Sequence, residues 1–292
     1  MKNLDNKHLF EAVTIIVVLY KSTNIIFECL KNLRNFKIVI VDNGRNGTIL
    51  EKIKSNYSSV KIIKNKKNLG FGKSVNKAVQ EVGGEYFLIL GPDCIVNENI
   101  LEKLLGFAKK FDAAAVGPWI KDDKSCYGLL PEKGKNIPRN ELQKKSAELL
   151  NNKKPDGECC VEVHKSAALL IEKRKFIDIG MFNESYFLFW EEIDLCRKYL
   201  KMKQSIILSP NIEVIHKESS SVKSDLNTFL LKIFHHELSP LIYFGVGKLS
   251  KIICIRIFKY FIRGILYLLV FNVKNSLKNF VKLAAVFSYF FK

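Results

Sequence analysis

The densest set of chemistry-bearing residues is Phe187-Leu188-Phe189-Trp190-Glu191-Glu192-Ile193-Asp194, three carboxylates directly behind an aromatic run. Acids in the first turn of a helix can simply complement its dipole. Aromatic neighbours add an apolar wall of the kind that raises a carboxylate pKa and positions a sugar ring. A carboxylate placed there can deprotonate an attacking hydroxyl.

Four further groups close short apolar runs, where open α/β sheets bind their ligands. Tyr20, Lys21 and Ser22 follow the first run, and Asp42, Asn43 and Gly44 the second. Asn68-Leu69-Gly70-Phe71-Gly72 follows the third, and Gly91-Pro92-Asp93 the fourth. Asp42 is able to accept from a base N–H or a ribose hydroxyl, although an Asx turn before Gly44 explains it equally well. Asp93 suits a divalent cation bridging two phosphates, and His216 is the best second ligand, since imidazole favours Mn²⁺ over Mg²⁺. A lone histidine is more often a hydrogen-bonded structural residue.

The 68–76 stretch resembles two phosphate-binding motifs and fits neither. Gly72-Lys73-Ser74 ends like a P-loop, but Lys67 occupies the upstream glycine position. Gly70-Phe71-Gly72 begins a dinucleotide fingerprint, but Val75 replaces its third glycine. What remains is a glycine-relieved turn entering a helix N-terminus, which favours an anion or a ribose edge.

Positioning such residues requires a parallel sheet wrapped by helices, and the pattern up to about Gly117 predicts one. Strands are expected at Val13–Leu19, 37–41, Val60–Lys64, Tyr86–Leu90 and 113–116, with helices at 24–35, 48–55, 71–82 and 98–111. Residues 121–157 turn polar and Lys-rich around Pro131, Pro138 and Pro155, predicting a long excursion with a short helix near 139–150. Order resumes at Cys159, with helices at 173–179 and from Glu191, a strand at 205–208 and an extended stretch at 212–215.

Beyond Glu237 no acidic residue occurs, while Lys248, Lys251, Arg256, Lys259, Arg263, Lys274, Lys278, Lys282 and Lys292 alternate with Ile, Phe, Leu and Tyr. This composition suits helices lying in a membrane interface, or a basic cap packed on protein. The longest uncharged stretch, 264–273, falls well short of a span.

With 292 residues and 48% hydrophobic content the chain is able to bury a substantial core. Its formal charge of +18 demands an anionic partner without choosing among nucleotide, lipid and nucleic acid. The cations are scattered and gathered in an apolar tail, with no nucleic-acid module, so nucleic acid is not expected. Seven scattered cysteines without a Cys-x-x-Cys pair point to a reducing compartment. The first apolar run is too short for a span and lacks a signal-cleavage pattern, so export is not expected.

Taken in order and spacing, the segments 13–20, 39–44, 68–72 with Asn76, 90–93, 167–171, 179–184, 189–195 and Pro210 leading to Val214-Ile215-His216 resemble the family-2 glycosyltransferases, in particular the rhamnosyltransferase-like branch. The resemblance implies an α/β GT-A (nucleotide-diphospho-sugar transferase) fold with a mostly parallel central sheet over residues 10–222, followed by an amphipathic helical tail at 223–292. It implies an inverting transfer from a nucleoside-diphosphate sugar, dTDP-rhamnose or a UDP-hexose, to a cell-envelope polysaccharide or lipid-linked glycan. Tyr20, Asp42, Asn43, Asn68, Gly70, Gly72 and Asn76 would line the nucleotide site, and Asp93 and His216 would hold Mn²⁺ or Mg²⁺. Glu192 aligns with the catalytic base, with Glu191 beside it, and Trp190 and Asp194 would face the acceptor.

Two departures stand out: Gly91 where the family usually has Asn or Asp, and Glu192 where it has Asp. They leave open an impaired nucleotide-sugar-binding scaffold. The expected setting is cytoplasmic, on the inner face of an anionic membrane, with homo-oligomerisation left open.

Overall fold

The computed structural model describes residues 6–44, 46–121, 127–131, 154–217 and 225–292. The helix expected near 139–150 lies outside the described residues. The chain opens with α1 (Asn6–Ala12) and β1 (Val13–Leu19), then α2 (Ile26–Leu30), β2 (Lys37–Asp42), α3 (Gly47–Asn56), β3 (Val60–Lys64), α4 (Phe71–Val79) and β4 (Tyr86–Leu90). There follow β5 (Cys94–Ile95), α5 (Glu98–Lys110), β6 (Ala115–Ile120), β7 (Tyr127–Gly128), β8 (Cys159–Cys160), β9 (Val163–His164) and β10 (Ala168–Glu172). The remaining elements are α6 (Lys173–Asp178), α7 (Glu191–Lys201), β11 (Ile206–His216), α8 (Leu226–Phe244), α9 (Lys251–Leu269) and α10 (Val273–Tyr289).

The main sheet runs β3-β2-β1-β4-β10-β6-β11-β5, with β8 paired to β11. β1, β2, β3 and β4 are mutually parallel, and β6 and β11 form a second parallel pair. β10 is inserted antiparallel between β4 and β6, matching Ala168 to Leu90 and Leu170 to Val116. One reversed strand between two parallel blocks leaves the carboxyl ends of β1, β2, β3, β4, β6 and β11 on a single edge.

The sheet is covered on both faces, which is why β1 and β4 read as unbroken apolar runs. Side chains alternate between the two faces. Val13, Ile15, Val17, Leu19, Leu88 and Leu90 pack toward α1, α2, α3 and α5. Ile16, Val39, Val41, Phe87 and Ile89 pack toward α4, α6 and α7. Each fully buried side chain of this size stabilises the fold by roughly 1.5–3 kcal/mol.

Several elements differ from expectation. The helix expected over 24–35 is regular only at Ile26–Leu30, because Asn32 and Asn35 are poor helix formers and the chain continues in turns through Leu33 and Phe36. The strand expected at 113–116 begins at Ala115 and continues to Ile120. Pro118 is tolerated because β10 pairs only with Ala115 and Val116, leaving β6 a single neighbour there. The two late extended stretches are one strand, β11, whose register shift between Ser209 and Glu213 absorbs Pro210.

The described chain clusters into two compact units, the sheet with its helices being the first. The second contains Pro131, Glu184–Glu191 and the C-terminal helices. Within it, Asp225 caps α8 through Thr228 N at 2.7 Å, and Gly245 closes that helix in the left-handed conformation. Leu238, Leu241, Ile253, Tyr260, Ala285, Val286 and Tyr289 form its core. Gly264 lets α9 and α10 approach closely, since a Cβ there would stand 2.9 Å from the Phe280 ring. No helix among the described residues is long and apolar enough to cross a membrane.

Candidate active site

Gly91-Pro92-Asp93-Cys94 forms a tight turn after β4, with Cys94 N donating to Gly91 O at 3.0 Å. The turn feeds the two-residue strand β5, which pairs antiparallel with the end of β11 so that Cys94 lies opposite His216. Lys217 N donates to Asp93 O at 3.0 Å and extends the junction. As a result His216 Nε2 lies 3.2 Å from Asp93 Oδ1. Donor atoms of Asp93, Cys94 and His216 all fall within 4.8 Å of one another.

A carboxylate oxygen and an imidazole nitrogen together fit a divalent cation such as Mn²⁺ and leave most coordination positions to other ligands. Cys94 had not been expected here; its position follows only from the β5 register. Burial pushes its thiol pKa up, and the nearby Asp93 charge adds to that. Gly91 is packed against the pair: a Cβ would stand 3.1 Å from Asp93 Oδ1 and 3.2 Å from Cys94 Sγ.

On the same edge, at the end of β2, Asp42 is 5% exposed. Its Oδ1 accepts from Gly44 N at 3.0 Å and Asn46 Nδ2 at 2.7 Å, and no hydrogen bond to Oδ2 is made among the described residues. One oxygen thus forms the Asx turn and the other remains for a ligand. Asn46 carries the link onward, accepting from Ser22 N at 2.8 Å. Gly44 is required there, because a Cβ would meet Lys21 N at 2.4 Å. The half-buried Tyr20 has Lys21 Nζ over its ring at 5.5 Å.

Asn43, expected at the nucleotide site, makes four hydrogen bonds within the protein. Its Nδ2 donates to Gly70 O at 3.1 Å and Ser74 Oγ at 2.8 Å, while its Oδ1 accepts from Asn65 Nδ2 at 2.8 Å and Leu69 N at 3.4 Å. All its bonding capacity ties β2 to the 65–74 turn. Asn68 Oδ1 accepts from Gly70 N at 2.9 Å, and Gly70 has φ 83° and ψ −179°, a conformation open only to glycine. That turn ends at the N-terminus of α4, where Gly72 is buried. Asn76 clamps α4 to the chain at Phe182, donating to Phe182 O at 2.9 Å and accepting from Phe182 N at 3.0 Å.

The Glu191–Asp194 carboxylates open α7. Glu192 is half-buried and Glu191 is buried. Glu192 helps raise the Cys196 thiol pKa to about 12, after the larger effect of burial. Asp194 is buried and its Oδ1 is ion-paired with Arg197 one turn on. Trp190, 4% exposed, packs on Tyr243 and Phe244 at centroid distances of 5.0 and 5.4 Å, a core position within the second unit. Phe189 stacks on His236 at 3.9 Å. Both Phe189 and Trp190 have positive φ, 65° and 72°, costing about 1–3 kcal/mol each and held by this packing.

The structure therefore brings Asp93 and His216 into contact and sets Asp42 on the same sheet edge. β2 and β4 are separated by one strand, about 10 Å. Sequence reasoning missed Asn46, Ser74 and Cys94, whose places follow from loop and strand geometry.

Residues 14–170 match the family model described as Glycosyl transferase family 2. The chain is 24% identical over 231 residues to the N-acetylglucosaminyl-diphospho-decaprenol L-rhamnosyltransferase of Mycobacterium tuberculosis, covering 70% of this chain and 73% of that protein. It is 23% identical over 255 residues to the glycosyltransferase GlyG of Streptococcus pneumoniae, covering 81% and 82%. The mannosyltransferase PcManGT of Pyrobaculum calidifontis, solved with GDP-Man and Mn²⁺, shares the fold with a TM-score of 0.54 and 13% identity over 95% of this chain and 73% of that one.

Proposed function

The chain belongs to glycosyltransferase family 2, in its rhamnosyltransferase-like part, and from that premise we propose an inverting, metal-dependent transfer of a sugar from a nucleoside-diphosphate donor to a glycan or lipid-linked acceptor. The observation that carries this reading is the Asp93–His216 pair on the same sheet edge as Asp42. Asp42 Oδ2 accepts from the base or ribose of the donor, while Asn43 and Asn68 hold the facing turn in shape. Asp93 and His216 would hold a divalent ion, and such an ion would supply positive charge to offset that gathering on the departing diphosphate.

Glu192 then takes the proton of the acceptor hydroxyl as the new bond forms on the opposite face of the sugar. Its half-buried position at the start of α7 supports that role better than that of Glu191 or Asp194, both buried. The relative named as an L-rhamnosyltransferase supports a rhamnosyl donor and a lipid-diphosphate-linked acceptor, dTDP-rhamnose being the proposed nucleotide sugar and UDP-hexoses the alternative.

The test is turnover of a nucleotide-sugar panel by the wild type and by Glu192→Gln. The expected result is Mn²⁺-stimulated turnover reduced at least about a hundredfold in the variant, with donor binding retained. Wild-type turnover in Glu192→Gln would remove that residue from its role. Donor binding without turnover in the wild type would favour the scaffold reading that Gly91 and Glu192 leave open.

A further inference from the structure

α9 has two unlike faces. Ile253, Tyr260 and Gly264 are buried in the core of the second unit. Arg256 is ion-paired with Glu237 at 2.5 Å, and Tyr260 Oη donates to the same carboxylate at 2.8 Å, so the last acidic side chain of the chain is already matched. The opposite face carries Ile255, Phe258, Ile262, Leu266 and Leu269, spaced three and four apart, and all are exposed. The turn into α10 continues the strip with Leu268, Val270, Phe271 and Val273, Phe271 being 91% exposed. Lys251, Lys259 and Arg263 on α9 and Lys274 at the start of α10 are exposed beside it.

We propose that this strip is a docking surface for an anionic lipid bilayer, with α9 lying in the interface plane and the turn at Phe271 entering deepest. An exposed apolar strip of this extent marks an interaction site. Its charge identifies the occupant, since nine cations and no acid follow Glu237. Two copies joined through this face would set cations against cations, whereas acidic head groups meet them and acyl chains take up the aliphatic and aromatic side chains. The helix, 19 residues long, serves as an interfacial element and not as a span. The surface is independent of the transferase chemistry and would persist if the donor-site assignment failed.

The experiment is flotation of the full chain with vesicles of phosphatidylglycerol and phosphatidylethanolamine, compared with phosphatidylcholine alone. Wild type is expected to bind the anionic vesicles at least about tenfold more tightly and to weaken as salt rises. The triple substitution Leu266→Gln, Leu269→Gln and Phe271→Gln, confined to exposed positions, is expected to reduce binding at least about tenfold with an unchanged melting curve. Lys259→Glu with Arg263→Glu is expected to do the same at low salt. As a gentler probe, Phe271→Trp is expected to blue-shift in emission when anionic vesicles are added. Wild-type indifference to anionic lipid, or unaltered binding by the triple variant, would overturn the proposal. So would concentration-dependent dimerisation that the triple variant abolishes in a chain that ignores vesicles, because the face would then belong to a second copy.

Discussion

His216 Nε2 stands 3.2 Å from Asp93 Oδ1, although one residue ends the last strand of the sheet and the other follows the fourth. The two-residue strand β5 creates this meeting by docking the turn after β4 onto the end of β11. The Asp93–His216 pair is therefore a product of backbone pairing and not of a contiguous motif.

Asp42 and Asn43 are neighbours with separable tasks. Asp42→Asn retains an Oδ1 able to accept from Gly44 and Asn46 while removing the second carboxylate oxygen. Stability should change by less than about 1 kcal/mol and the donor KM should rise about tenfold or more. Asn43→Ala loses four hydrogen bonds at a buried position and should cost about 2–3 kcal/mol in urea denaturation. The opposite pattern, with Asp42→Asn unfolding the protein and Asn43→Ala leaving it intact, would reverse the two roles.

Gly91 is constrained by what it touches. Gly91→Asn places a side chain against Asp93 Oδ1 and Cys94 Sγ, which must give way by a few tenths of an ångström. Cation affinity should fall several-fold and stability by about 1–2 kcal/mol. Calorimetric titration with Mn²⁺ checks this, and a gain in affinity would mean that the turn relaxes freely.

The second unit should carry an acid sensitivity. Burial, with a smaller effect from Lys292, lowers the pKa of His235 to about 4 from its ordinary 6.5, and its ring stacks on Phe187 at 4.6 Å. Between those values the unfolded chain binds a proton that the folded chain does not. Stability is thus complete above about pH 6.5 and falls by about 2 kcal/mol as the pH drops through about 4. His235→Phe should flatten that part of the stability curve followed by circular dichroism. An unchanged slope would place the acid sensitivity elsewhere.

Much of the sheet was legible because its strands are buried on both faces and therefore read as unbroken apolar runs. The apolar content of β10 says nothing of strand direction, and its reversal is what keeps β6 and β11 aligned with β4. The strand-end rule located Asp42, Asp93 and the 68–72 turn on one edge. It did not separate residues that face a ligand from residues that hold the loops, because an asparagine amide serves either purpose. Asn43 and Asn76 are bound to backbone and neighbouring side chains, Asp194 to Arg197, and Trp190 to aromatic rings of α8. Cys94 was invisible for another reason: its place opposite His216 depends on a strand too short to leave a pattern.

The central claim is that Asp93 and His216 together hold a divalent ion against the diphosphate of the donor. Electron paramagnetic resonance of Mn²⁺ titrated into the protein with dTDP or UDP present tests it most directly. One bound ion per chain is expected in the wild type, with affinity lowered at least about tenfold by Asp93→Asn and by His216→Asn separately. Equal Mn²⁺ affinity in the wild type and both variants would contradict it.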